Sequence, residues 1–249
     1  MPPPNSYALP AGVMVHKLPT GSISLSEALV EMLVQARCDY DWPAGSGAVE
    51  SQQTIRNLEA DIAQLMQGLD KENAHRIVVA VSAWAGNNAR SHNAIVRATP
   101  ADRVQMLSSL QLFNTLDGLA DAMDALCLLP GIRLVIASKI FRFCWPAMGA
   151  AVDRHTSYFF NSLGATNFRR EWSNGQHTAS RLAIHQSASY TRNRREFVTV
   201  YLPMLRSMAN ALNAIPVLYH CAATGEQKKW RLADVEMAAY YWGACNAPR

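Results

Sequence analysis

The stretch "LPGIRLVIASKIFRFCWPAMGAAVDRHTSYF", Leu129 to Phe159, decides how this chain is read. Pro130 cannot continue the helical pattern before it, and Gly131 is free to take a positive φ, so a tight turn is predicted there. A second helix is predicted through "RLVIASKIFRF", up to the break at "CWPAMG". The apolar run Ala150-Ala151-Val152 then leads to Asp153 and to a further helix, "RHTSYFFNSLG". Two readings of the turn stand side by side. It is a buried helical hairpin, or it is a device whose unpaired helix-start N–H groups hold an anion such as a phosphate. Asp153 is likewise either a helix cap or a carboxylate placed for chemistry.

The pattern on both sides is helical. "SLSEALVEMLVQARCDYDW" carries an apolar stripe of Ala28, Leu29, Met32, Leu33 and Ala36, with Ser24 or Ser26 as cap. Residues 51–68 place Ile55, Leu58, Ile62 and Leu65 on one helix face, and a second helix follows from Glu72 despite its β-branched run. Thr99, Pro100 and Asp102 form a helix-start signal. "TLDGLADAMDALCLL" runs into the Pro130–Gly131 turn; "REFVTVYLPMLRSMANALNA" and "WRLADVEMAAYYWG" supply the last helices, with Arg231 and Asp234 spaced to pair. Ser82 to Asn93 reads as a polar loop offering Asn87, Asn88, Arg90 and His92 to solvent or a ligand. No internal repeat, low-complexity tract or credible sheet stands out. The expectation is an all-α protein: an irregular lead-in over residues 1–25, then one helical domain, or two tightly packed helical lobes, over 26–249.

Composition narrows the class. Hydrophobic residues make up 49% of the 249, enough for a core without staples. The net charge of +4 is mild, but six arginines against two glutamates lie between Phe168 and Glu196. Five widely spaced cysteines with no CxxC pair argue against structural zinc and for a reducing compartment. The opening residues do not read as a signal peptide, and no apolar run approaches the ~20 residues that cross a bilayer. The expected location is cytoplasmic. No Walker loop, dinucleotide fingerprint, nucleophile elbow or paired-histidine metal motif is present, and neither metal nor cofactor is expected.

Leu129-Pro130-Gly131-Ile132-Arg133 with Ala137, followed by Val152-Asp153-Arg154-His155, resembles the helix-hairpin-helix DNA glycosylase superfamily of base-excision repair. That family carries L-P-G-[VI]-G-x-x-x-A and, after a helix, V-D-x-H. The resemblance covers roughly residues 121–163. It implies a helix-hairpin-helix glycosylase-like fold, duplex DNA as partner, a monovalent cation at the hairpin, and Asp153 as the catalytic aspartate. Two departures stand out. Arg133 replaces the second hairpin glycine, and Val135 stands where bifunctional members place a lysine, so the resemblance implies a monofunctional N-glycosylase acting on a damaged or mismatched base.

The expected site follows. Pro130, Gly131, Ile132, Arg133, Val135 and His155 would meet the DNA backbone, joined by Arg169, Arg170, Arg192, Arg194 and Arg195. Lys139 and Trp145 are candidates for a base pocket. A carboxylate beneath the sugar would stabilise the charge that develops as the glycosidic bond breaks. Two alternatives remain from the residues: a DNA-binding module without catalysis, and a helical structural or interaction protein.

Overall fold

A computed structural model describes residues 9–17, 22–40, 44–46, 50–85, 88–113, 118–163, 191–221 and 225–246. Along the chain these form β1 (Val15–Lys17), β2 (Ile23–Leu25), α1 (Glu27–Asp39), β3 (Ala44–Ser46), β4 (Glu50–Thr54), α2 (Ile55–Gln67), α3 (Lys71–Trp84) and α4 (Ala89–Val96). Then come α5 (Pro100–Leu112), α6 (Leu119–Leu128), α7 (Leu134–Cys144), α8 (Arg154–Ser162) and α9 (Thr191–Glu196). A π-helical turn (Phe197–Tyr201), α10 (Leu202–Ala214), β5 (Tyr219–Cys221), β6 (Glu226–Lys228) and α11 (Leu232–Asn246) follow. The protein is predominantly helical. The strands pair as three antiparallel hairpins, β1–β2, β3–β4 and β5–β6.

Those hairpins correct the expectation of no sheet. β1 and β2 also place regular structure inside the supposed lead-in, and β4 occupies the start of the stretch expected to be helical from residue 51. Strands of three to five residues are too short for alternation to show against background. A second correction concerns residues 82–93. Instead of a polar loop, α4 forms there, capped by Asn88, whose side chain accepts from the Ser91 amide. Only His92 and Ile95 of α4 are fully buried, too few to reveal a helical period. Asn87 lies outside the described residues.

Among the described residues, two compact units are distinguished. The first comprises residues 9–40, 152–163 and 196–246; the second comprises 44–151 and 191–195.

In the second unit α3 packs against α2, α4, α5 and α7. Its β-branched residues Ile77, Val78 and Val81 are fully buried, so packing overrides their modest helix propensity. Asp70 caps α3 by accepting from the amides of Glu72 and Asn73. The predicted start of α5 is present as a capping box between Thr99 and Asp102, with Pro100 in the first turn. Arg142 of α7 reaches Glu59 of α2 at 2.7 Å, an ion pair with the arginine almost wholly buried. Cys127 and Cys144 are buried free thiols, and burial pushes Cys127 up to about 11.

In the first unit α11 packs against α1, α8 and α10. Every residue from Leu232 to Ala239 is buried, as expected of a helix surrounded by neighbours. Asp234 lies in this helix with no exposed surface. It accepts from Arg37 of α1 at 3.0 Å and from Arg231 at 2.8 Å. The Arg37 guanidinium also lies 4.5 Å from the centre of the Tyr219 ring. The π turn comes just before Pro203. That proline has no N–H for the Thr199 carbonyl and its ring would crowd it, so the wider turn falls where the regular ladder would break.

Burial alone would raise the Asp234 carboxyl, but hydrogen bonds from Arg231 and the charges of Arg231 and Arg37 hold it below its ordinary 3.8. The stability this group contributes is therefore complete above pH 3.8 and lost as the pH falls through the lower folded value. Asp234→Ala should cost about 3–5 kcal/mol, because it strands a buried guanidinium. Urea melts of the two proteins at neutral pH should show that gap, and it should shrink in strong acid; a variant as stable as the parent would contradict the assignment.

Candidate functional site

The hairpin belongs to the second unit. Helix α6 ends at Leu128, and Leu129 turns to extended backbone, its amide donating to Leu126. Gly131 takes φ +79°, and the Ile132 amide closes the turn on the Leu129 carbonyl at 3.2 Å. Gly131 is required twice over. A Cβ there would lie 2.2 Å from the Ser91 carbonyl oxygen of α4 and 3.2 Å from Ile95. The turn thus rests on α4, and α4 rests on α3 through His75 to the Ile95 carbonyl at 3.0 Å and His92 to Ser82 at 3.2 Å.

Arg133 occupies the N-cap position of α7 with extended φ −130°, which needs no glycine. Arginine has no acceptor to offer a cap. The first intrahelical bond runs from the Ala137 amide to the Arg133 carbonyl. The amides of Leu134, Val135 and Ile136 precede it, and among the described residues nothing accepts from them. The helix start therefore keeps both its donors and its positive dipole end. Arg133 is exposed, with Nη1 donating to the Ile132 carbonyl at 2.8 Å.

Acids are absent from the two segments that meet at the turn but present just before it, at Asp121 and Asp124 of α6. Residues 73–101 and 125–152 contain no Asp or Glu. Arg90 adjoins the Ser91 that supports Gly131, and Arg97 caps the far end of α4; both are exposed and make no ion pair among the described residues. Neither belonged to the expected backbone set, because α4 was not legible as a helix.

Other expected residues are committed elsewhere. Arg194 pairs with Asp124 of α6. Lys139 points its ammonium at the Ala85 carbonyl, 3.5 Å away at the end of α3, and at the Trp84 ring, 5.3 Å from its centre. That is a favourable seat for a cation at a helix C-terminus. Trp145 is half-buried, and its indole N–H is buried without an acceptor among the described residues. Arg195 is exposed on α9, and Arg192 lies on the same helix. Arg169 and Arg170 lie outside the described residues.

Asp153 belongs to the first unit and starts α8. Its Oδ1 accepts from the Thr156 amide at 2.9 Å and lies 3.2 Å from the Thr156 hydroxyl, while its own amide donates to that hydroxyl at 2.9 Å. This capping box satisfies the cap reading. It leaves Oδ2 of the half-buried carboxylate accepting nothing among the described residues. Thr156 also hydrogen-bonds Tyr201 of the π turn. Burial, with the charges of Glu236 and Asp153, pushes Tyr201 well up; burial, with Asp153 and then Glu236, also raises Tyr240. His155 is half-buried and packs edge-on against Tyr240, 5.5 Å between ring centres, so its ring is engaged in packing. Glu236, Thr156 and Tyr201 were missed in the sequence. The available signal was Glu236, one of two carboxylates in the otherwise apolar run of α11.

Among the described residues no group of three His, Cys, Asp or Glu could hold a metal ion, and no helix is long and apolar enough to cross a membrane. No protein-family model, curated protein or solved structure matches the chain.

Gly131→Ala should lose at least about 2 kcal/mol from left-handed strain and the clash with the Ser91 carbonyl. Thermal denaturation would report it, and an unchanged melting temperature would contradict this seating of the turn.

Proposed function

We propose that the protein binds DNA through its hairpin, with little base preference. The observation that carries this reading is the start of α7, whose first three amides have no acceptor among the described residues, together with exposed Arg133 at its N-cap and exposed Arg90 and Arg97 at the two ends of α4, in segments of sequence that contain no acid. Amides at a helix start bind phosphate oxygens directly, and arginines beside them hold adjacent phosphates. The guanidinium on the Ile132 carbonyl brings positive charge to the turn, where the resemblance implied a monovalent cation.

Affinity for a short duplex, measured by polarisation over a salt series, should fall steeply as counterions are released. Arg133→Ala should weaken binding about equally for all sequences and flatten the log–log slope by about one. No binding to any duplex at low salt would overturn the proposal.

A second reading adds chemistry, hydrolysis of an N-glycosidic bond in damaged or mismatched DNA without a covalent amine intermediate. It is favoured by the anchoring of Asp153 through Oδ1 alone, with Oδ2 left to face a developing sugar cation or to orient water. Val135 supplies no amine, and Lys139 is engaged at the end of α3. In a base-release assay over a panel of lesion duplexes, Asp153→Asn should lose ~100-fold or more in rate while keeping its fold, since asparagine caps as well as aspartate. Unchanged release would reduce Asp153 to a cap.

A further inference from the structure

Strand β2 pairs with β1 along one edge only. The Ser26 amide donates to the Met14 carbonyl at 3.0 Å, which makes Met14 and Ser26 a hydrogen-bonded pair at the end of this hairpin. Bonded pairs recur at every second residue of an antiparallel ladder, so the next is Ser24 with His16, which stand opposite each other. Ile23 and Leu25 therefore turn their N–H and C=O groups away from β1. Among the described residues nothing bonds those four groups.

A groove of about 390 Å³ has residues 22–25 as one wall. Its other wall is α10, through Ser207, Asn210, Ala211 and Ala214, with exposed Ile215 at the end of that helix. This spacing puts the four on one helix face, and their small side chains leave room between helix and strand. The side chains of Ser207 and Asn210 make no hydrogen bond among the described residues. The walls carry no charge: Arg206 and Glu27, the nearest charged residues in sequence on α10 and after β2, do not line the groove.

These features select an occupant. A phosphate or another ion finds no counter-charge on either wall. The strand edge presents alternating donors and acceptors, which a peptide backbone answers. An extended segment has a second edge as well, and Ser207 and Asn210 can each donate to it and accept from it. Its side chains alternate between two faces, so apolar ones at every second position would meet Ala211, Ala214 and Ile215. We propose that this groove takes an extended, uncharged segment of a partner protein, added to β2 as a third strand. The surface lies in the first unit and does not depend on the reading of the hairpin.

The test pans phage-displayed random heptapeptides against the intact protein. Recovered peptides, labelled with fluorescein, are then measured by polarisation on the parent, Ala211→Phe and Asn210→Ala. They should be uncharged, with apolar residues at alternate positions. In the nitrogen-15-labelled protein a bound peptide should shift the amides of Ile23 and Leu25 most, while that of Ser24, already bonded to His16, should move little. Ala211→Phe fills the groove and should abolish binding. Asn210→Ala removes an exposed side chain, so it should melt as the parent does, and it should weaken binding about fivefold through lost hydrogen bonds. No peptide recovered above background, or charged peptides only, would overturn the proposal. Peptides that leave the Ile23 and Leu25 amides unmoved, or that bind both variants as they bind the parent, would overturn it too. So would dimerisation of the parent that Ala211→Phe abolishes, which would give the edge to a second copy of this chain.

Discussion

The contact of Gly131 with the Ser91 carbonyl is the constraint from which the hairpin derives its shape. A positive φ and an approach too close for any Cβ fix the turn on α4, and α4 is itself pinned to α3 by His75 and His92. The start of α7 is thereby held in one place without a capping side chain. Among the described residues nothing accepts from its first three amides, which water or an anion would satisfy. Rigidity and lack of a cap together distinguish this turn from an ordinary connection between helices. A preformed set of donors loses little entropy when an anion arrives.

The first unit is organised differently. Its central helix, α11, is buried through two turns and carries Asp234 in the middle of them. A lone carboxylate there would be untenable, and Arg37, Arg231 and the Tyr219 ring compensate for it. Two residues on, Glu236 acts on Tyr201 and Tyr240, as does Asp153 at the start of α8. Structural and candidate chemical carboxylates thus share one scaffold. They are told apart by their partners: Asp234 has both oxygens bonded by arginine, whereas Asp153 uses one oxygen for its cap.

Much of this was legible in the residues. Long amphipathic segments, the Thr99–Asp102 start, the Pro130–Gly131 turn and the spacing of Arg231 and Asp234 all rest on local rules, and the structure bears them out. What escaped was short or distant in sequence. α4 buries too few residues to display a period, and three-residue strands display none. Arg37 follows Leu29 and Leu33 at four-residue spacing, and Arg142 follows Leu134 and Ser138 likewise, so both arginines sit on buried helix faces. An arginine on such a face signals a buried acid, but the sequence does not say which one. Asp234 lies 197 residues from Arg37. The site was legible in part for the same reason: the turn and Asp153 are local features, whereas Arg90 and Arg97 join the hairpin only through the packing of α4.

The most direct test of the account is a titration of the nitrogen-15-labelled protein with a short duplex, followed by amide NMR. The account predicts that the largest shifts fall on the amides of Leu134, Val135 and Ile136 and on the Arg133 side chain, because these donors gain phosphate partners. A complex in which those amides keep their free positions while shifts cluster elsewhere would contradict it.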